Sequence, residues 1–281
     1  MPTDRTGDAG PDRRVGQTGR VEEILAGGVA NAGRVTRLGN SVLRPSNPHS
    51  ASVHRFLGAL HDTGFDGASV PLGIGDDGRE RLVYREGDVP VPPFPDWART
   101  DAALASVTRL LLRFHRASAL VSDHLTTWST ELADPAGGPV VCHNDVCLEN
   151  VVFEDGAAVG LLDFDFAAPG RPVHDVAAFA RMCVPVDDPV SAGRLGWTDP
   201  DGPRRLRLVA DTYGLDGGGR TALLGCLDHA MAHGGRFVER RAAAGDPGFV
   251  RMLGEMGGME RFDRRRRWWE GIREEFVAAL G

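Results

Sequence analysis

The chain has 281 residues, a net charge of −7, 42% hydrophobic and 25% charged residues, the profile of a soluble globular protein with room for two lobes around a cleft. The negative balance argues against a nucleic-acid-binding role, and no apolar run approaches the roughly 20 residues that span a bilayer. A polar, Gly-rich start without a signal-peptide core implies a cytoplasmic protein, and Cys142, Cys147, Cys183 and Cys226 lack zinc-type spacing and read as reduced thiols.

Residues 1–19 hold too little apolar surface to offset ordering entropy, which predicts a disordered tail. A first lobe is expected over 20–89. Arg34-Val35-Thr36-Arg37-Leu38 and Ser41-Val42-Leu43-Arg44 have strand character, and Gly39-Asn40 between them predicts a tightly turned hairpin. Upstream, Gly27, Gly28 and Gly33 form either a loop whose N–H groups wrap phosphates or an ordinary Gly-rich turn. Residues 51–62 place Val53, Phe56, Leu57 and Leu60 at spacings of three and four, the mark of an amphipathic helix. Arg81-Leu82-Val83-Tyr84 reads as a third strand.

The proline-rich run 90–95 predicts a boundary, followed by a second lobe over 90–281. A long helix is expected from about 101 to 118, with Leu104, Val107, Leu111, Phe114 and Ser118 on one face and Thr100 or Asp101 as N-cap. Val140-Val141-Cys142, Asn150-Val151-Val152-Phe153 and Val159-Gly160-Leu161-Leu162 are short β segments, the last two joined by the turn Glu154-Asp155-Gly156. Beyond Asp175 the pattern is helical apart from a loop over 185–203 rich in Asp, Gly and Pro. Arg264 to Arg267 and the two following tryptophans read as a solvated helix face with the indoles inward, or as a site for an anionic substrate. Strands first and helices later argue an α+β fold rather than alternating βαβ units.

The chemistry concentrates between His143 and Asp165. Transfer of a γ-phosphoryl group passes through a loose, highly charged transition state, so a protein mainly positions groups and supplies positive charge through Mg²⁺. Mg²⁺ takes oxygen ligands, and the accepting hydroxyl must be oriented and lose its proton. Asp145 follows a short apolar strand and can point into a cleft as that base. Asn150, five residues on, offers a carbonyl oxygen, and Asp163, thirteen residues further, a carboxylate. Cys147 beside them reads as a small buried filler.

His143-x-Asp145-x-x-x-x-Asn150 followed by Asp163-Phe164-Asp165 resembles the catalytic and metal-binding loops of protein kinases and, more closely, of the aminoglycoside phosphotransferase and choline kinase family. Pro172-Val173-His174-Asp175-Val176-Ala177 is similar to that family's Pro-x-x-Asp-Leu-Ala segment, and Leu112-Arg113-Phe114-His115 to its Leu-x-x-Leu-His. The resemblance implies a two-lobed protein-kinase-like fold, with a small antiparallel β-sheet lobe carrying one helix and a larger helical lobe holding a catalytic hairpin. It implies that Asp175 braces the catalytic loop and that His143 holds the loop backbone. It implies Mg²⁺ on Asn150 and Asp163, ATP or GTP as co-substrate and a small hydroxyl-bearing acceptor. Asp165 is either a metal-side or acceptor-side carboxylate or a structural one.

The nucleotide-facing half departs from the family pattern. The chain has no lysine; all 32 basic residues are arginine. Arg44 therefore takes the place of the usual strand lysine, as a planar bidentate cation rather than a point charge. The next helix has no glutamate, and His54, where the pairing acid would stand, is either a surface residue or a partner for Arg44. The expected function is phosphoryl transfer to an antibiotic or metabolite, with a kinase-fold immunity or sequestering protein that binds without transfer as the alternative. A polycationic acceptor would need carboxylates such as Glu239, Asp246, Glu255 and Glu260 at its site.

Overall fold

The computed structural model describes residues 13–15, 21–25, 33–121 and 127–281. Its N-terminal part is a six-stranded antiparallel sheet in the order β1-β2-β3-β4-β6-β5, built from β1 (Arg13–Val15), β2 (Val21–Ile24), β3 (Thr36–Leu38), β4 (Ser41–Pro45), β5 (Pro71–Ile74) and β6 (Arg79–Val83). Helix α1 (Ser50–Asp62) buries Val53, Phe56, Leu57 and Leu60. The β3–β4 turn is made by Gly39, at φ 61°, and Asn40. Within the stretch expected to be disordered, Arg13–Val15 instead pairs with Val21–Glu23, because the edge of β2 offers unpaired backbone donors and acceptors. The rest of the 1–19 stretch, with Gly27 and Gly28, lies outside the described residues.

Residues 84–100 connect this sheet to the larger helical part, and Asp88 exchanges two backbone hydrogen bonds of 2.8 Å with Phe153. Gly87 permits that approach. Its φ is 127°, and a Cβ there would stand 2.6 Å from the Phe153 carbonyl oxygen.

Helix α2 (Asp101–Ser118) starts at Thr100, whose hydroxyl accepts from the Ala103 N–H. Its Leu104, Val107, Leu111, Phe114 and Ser118 are all buried, each large apolar member contributing about 1.5–3 kcal/mol. Phe114 meets Phe56 of α1 and Phe164 edge-on, so one ring links the sheet-bearing part to the chemistry-bearing loop. Two small antiparallel pairs follow. One is β7 (Val140–Cys142) with β10 (Ala168–Gly170), the other β8 (Val151–Glu154) with β9 (Ala157–Leu161). Asp155 and Gly156, at φ 49° and 75°, turn the second pair.

The remainder is helical: α3 (Pro172–Cys183), α4 (Pro189–Arg194), α5 (Gly202–Tyr213), α6 (Gly217–Ala243), α7 (Pro247–Glu255) and α8 (Glu260–Leu280). The loop predicted over 185–203 therefore contains a short helix. Asp188 caps it by accepting from the N–H groups of Val190 and Ser191, and Pro189 occupies its first turn. The sheet followed by helices makes the fold α+β, as the order of elements predicts. Among the described residues no helix is long and apolar enough to cross a membrane.

Candidate active site

The loop between β7 and β8 is held from beneath by one carboxylate. Asp175, in the first turn of α3 and fully buried, accepts from the backbone N–H of His143 at 2.7 Å and of Asn144 at 2.8 Å. Its Oδ2 also lies 2.9 Å from His115 Nε2, and His115 Nδ1 is 2.6 Å from the Tyr213 hydroxyl. Burial alone would raise the Asp175 pKa, but the His115 hydrogen bond, the neighbouring imidazoles and the loop N–H groups hold it below the usual carboxylate range.

His143 is completely buried and bridges the two halves of the site. Its Nε2 donates to the Leu162 carbonyl at 2.8 Å and its Nδ1 accepts from the Asp145 N–H at 3.3 Å. These contacts leave no place for a second ring proton, and burial lowers the ring's pKa. Asn144, at φ 64°, and Asp163, at φ 62°, occupy the left-handed region at either end of this bridge. Asn and Asp are the non-glycine residues that tolerate it best.

Asp145 is partly exposed. Its Oδ2 accepts from Asn150 Nδ2 at 3.3 Å, and the same amide nitrogen donates to the Asp145 carbonyl at 2.9 Å. No hydrogen bond to Asp145 Oδ1 is present among the described residues. Burial, with the charge of Asp163, pushes the Asp145 pKa up to about 8. With its nitrogen spent on Asp145, Asn150 has Oδ1 as the amide atom left for another partner.

Arg44 stands at the other side of the cleft, buried in β4. Its Nη1 donates to Asp163 Oδ1 at 3.0 Å, its Nη2 ion-pairs with Asp165 Oδ2, and its Nε is 3.9 Å from Glu80 Oε1. Burial would lower the guanidinium pKa, but the three carboxylates outweigh it and raise it. Asp163 is likewise held low, Arg44 overcoming its burial. Asp165 is driven up to about 6 by burial and by the charge of Asp163.

The residue that sequence reasoning missed is Glu80. It sits directly opposite Arg44 in the β4–β6 register and is 3% exposed. Its carboxylate accepts from Ser50 Oγ at 2.5 Å and lies 3.0 Å from His54 Nε2. The acid beside the strand cation thus comes from the neighbouring strand rather than from the helix. His54 is correspondingly no surface residue; its side chain is 10% exposed and packs against that acid. The available signal was the sequence Arg79-Glu80-Arg81, whose alternation turns a single acid inward.

Arg44, Glu80, Asn150, Asp163 and Asp165 all border one cavity of about 310 Å³ between the sheet and the β8–β9 hairpin. Val35, Val42 and Leu82 give it an apolar roof. A flat apolar slot ending in a cation and hard oxygen donors suits a ligand with a planar ring and a charged tail.

A family model described as "Phosphotransferase enzyme family" matches residues 27–209, which take in most of the sheet, the β8–β9 hairpin and α3. The chain belongs to that family. Among phosphotransferase-family folds of known structure, the choline/ethanolamine kinase family protein of Mesorhizobium loti superposes with a TM-score of 0.61 over 92% of each chain at 15% identity. The GDP complex of aminoglycoside 2'-phosphotransferase-IIIa gives 0.53 at 14% identity, covering 88% of this chain and 92% of that one. These likenesses establish the kinase-like fold. In sequence the phosphotransferase-family chain is 32% identical over 187 residues to the trifolitoxin immunity protein of Rhizobium leguminosarum bv. trifolii, covering 64% of this chain and 70% of that protein.

The basic run at 264–267 is not one solvated face. Arg265 is buried and grips Asp187 through two hydrogen bonds of 2.7 Å, and Arg264 Nε donates to Asp188 Oδ1 at 2.7 Å. Only Arg266 and Arg267 are exposed, because the helical turn rotates them away from α4. Of the acids considered for a polycationic acceptor, Glu239, Glu255 and Glu260 are exposed on their helices and Asp246 caps α7.

Proposed function

We propose that this protein transfers the γ-phosphoryl group of ATP or GTP to a hydroxyl of a small molecule. The observation that carries the reading is Asp145: a partly exposed carboxylate with one oxygen fixed by Asn150 and the other without a hydrogen bond among the described residues. A hydroxyl hydrogen-bonded to that oxygen is oriented for attack on phosphorus. As its O–P bond forms and the bond to the β-phosphate breaks, its proton passes to the carboxylate and the nucleoside diphosphate leaves.

Asn150 and Asp163 fit a magnesium ion. The amide oxygen of Asn150 has no protein hydrogen bond among the described residues, Asp163 keeps Oδ2 outside its pair with Arg44, and both are hard oxygen donors on one cavity wall. When bound, Mg²⁺ supplies positive charge to the phosphate oxygens. Arg44, whose Nε is buried without a hydrogen-bond partner among the described residues, contributes a fixed cation beside them. Asp165 restrains Arg44, and Glu80 with His54 restrains it from the other side. His143 and Asp175 hold the loop that presents Asp145.

A second reading has its own support. Arg44 is engaged by both Asp163 and Asp165, and one relative is an immunity protein by name. A kinase-fold protein that sequesters its ligand would have no need to release that cation.

The test is incubation with MgATP or MgGTP and a panel of hydroxyl-bearing antibiotics and metabolites, with mass spectrometry for the added phosphoryl group. A product that disappears in Asp145→Ala, by about 10²–10⁴-fold in rate, supports transfer. Ligand protection that survives Asp145→Ala without product supports sequestration. Failure to bind any Mg-nucleotide would sink the transferase reading.

A further inference from the structure

A second cavity, of about 300 Å³, shares no lining residue with the cleft. Its walls come from the start of α3, through Arg171 and His174, and from the middle of α6, through Gly225, Cys226 and His229. The volume is that of a small ligand site. Gly225 helps to leave the room, since a Cβ there would meet no atom within 4 Å. No carboxylate is among the described residues that line the space.

The polar groups facing this cavity are donors. Arg171 spends Nε and Nη2 on Asp134, at 2.6 and 2.9 Å, and Nη2 also lies 3.8 Å from Cys226 Sγ. Its Nη1 has no hydrogen bond among the described residues, and the side chain is 44% exposed. Asp134 also accepts from the backbone N–H groups of Ala136 and Arg171, at 3.0 and 3.1 Å, so it is saturated and fixes the guanidinium plane. That pair is formally neutral, and the pull on an anion comes from directed N–H groups. Arg171 is also the N-cap of the 12-residue α3, whose positive end adds to the same field. His229 stacks on His233 at 4.0 Å and stands 6.3 Å from His174, and neither of its ring nitrogens is hydrogen-bonded among the described residues. Burial, with His233, His174 and Arg171, lowers its pKa, so the ring is neutral at pH 7 and carries one N–H. His174 is a wall: its Nε2 lies 3.3 Å from the Leu132 carbonyl oxygen and its Nδ1 3.9 Å from Asp134.

We infer that this cavity is a second ligand site, for a phosphate group, free or on a small phosphomonoester, held by Arg171 Nη1 and the His229 N–H. The inference is independent of phosphoryl transfer. A tetrahedral oxyanion suits donors that arrive from two helices, because its oxygens point toward both. A soft metal is the rival occupant, given a thiol and two imidazoles. The Arg171 guanidinium beside Cys226 opposes a cation. Among the described residues, moreover, the only three Cys, His or acid side chains with ligand atoms within 4.8 Å of one another are His115, Cys142 and Asp175. His174 immediately precedes Asp175, so the occupant bears on the turn of α3 that anchors the β7–β8 loop.

The experiment titrates the full chain with inorganic phosphate and with sn-glycerol 3-phosphate by calorimetry. Saturable binding is expected, and the tighter probe tells free phosphate from a phosphomonoester. Gly225→Asp puts a carboxylate into open space on the cavity wall. It is expected to weaken binding at least about tenfold, and the isosteric Gly225→Asn by about twofold or less. His229→Leu removes one neutral donor and is expected to cost about three- to tenfold; it decides the matter if Gly225→Asp fails to fold. Arg44→Ala, in the cleft, is expected to leave the affinity within about twofold. Absence of saturable binding overturns the inference, as does affinity that survives Gly225→Asp or collapses in Arg44→Ala. Saturable binding of Zn²⁺ but not of phosphate, lost in His229→Leu, overturns it in favour of a metal site.

Discussion

The two sides of the cleft solve the same problem, holding buried charge in place, by different means. Under the β7–β8 loop, Asp175 is surrounded by donors that match it: two backbone N–H groups and His115. Across the cleft, Arg44 is surrounded by three acids, with its Nε lacking a hydrogen bond among the described residues and its ion pairs divided among Glu80, Asp163 and Asp165. The first arrangement is complete without a ligand and works as scaffold. The second is a set of competing charges around one buried cation on the wall of an open cavity. A buried network that is fully satisfied rigidifies; one that is partly satisfied is where binding energy can act.

That contrast is open to attack, and the largest blow falls on the scaffold. Asp175→Ala strands two backbone donors and His115, and is expected to cost roughly 3–5 kcal/mol of unfolding free energy in a urea titration. A loss under 1 kcal/mol would mean the loop is held by something else. Arg44→Ala should weaken MgATP binding by about tenfold or more, the worth of one charge-assisted contact. Its cost in stability should be smaller than that of Asp175→Ala, because Asp165 is already biased toward its neutral form and Asp163 lines an open cavity. Unchanged nucleotide affinity would place Arg44 with the scaffold and dissolve the distinction.

The smallest effect concerns Asp145. Its folded pKa of about 8 exceeds the ordinary value of 3.8, so between these limits the folded state binds more protons than the unfolded one. Stability from this group is therefore full at low pH and is lost as pH rises toward 8. Asp145→Asn escapes that loss. Its Tm advantage over the parent should widen between pH 5 and pH 8 by at least about 2–4 °C, the shift that ~1 kcal/mol produces at this size, because solvent screening of a partly exposed carboxylate leaves only a fraction of the full linkage as stability. A difference independent of pH would show that Asp145 is ionised throughout. With Mg²⁺ and nucleotide present, neutralisation of Asp163 should shrink the widening.

Much of this molecule was legible without coordinates. The 3.6-residue spacing of Leu104, Val107, Leu111 and Phe114 specifies which face of α2 is buried, because helical periodicity is a local property. The α+β order follows from where strand-like and helix-like stretches fall, and Asp145, Asn150 and Asp163 are legible as candidates because they stand at short, fixed separations along the chain. Those are contacts between near neighbours in the chain. The short strand Arg13–Val15 escaped because it exists only as a partner for β2. Glu80 escaped because its meaning comes from register: Arg44 and Glu80 are 36 residues apart (80 − 44) and become opposite only once β4 and β6 align. The basic run on α8 misled for the same reason, since Asp187 and Asp188 on another element decide which of its arginines are buried. Sequence by itself determined most of the elements and the string of candidate site residues, through propensity and spacing. Only tertiary structure decided how charges pair, because Coulomb energy and desolvation depend on distance through space and on exclusion of water, neither of which is written along the chain.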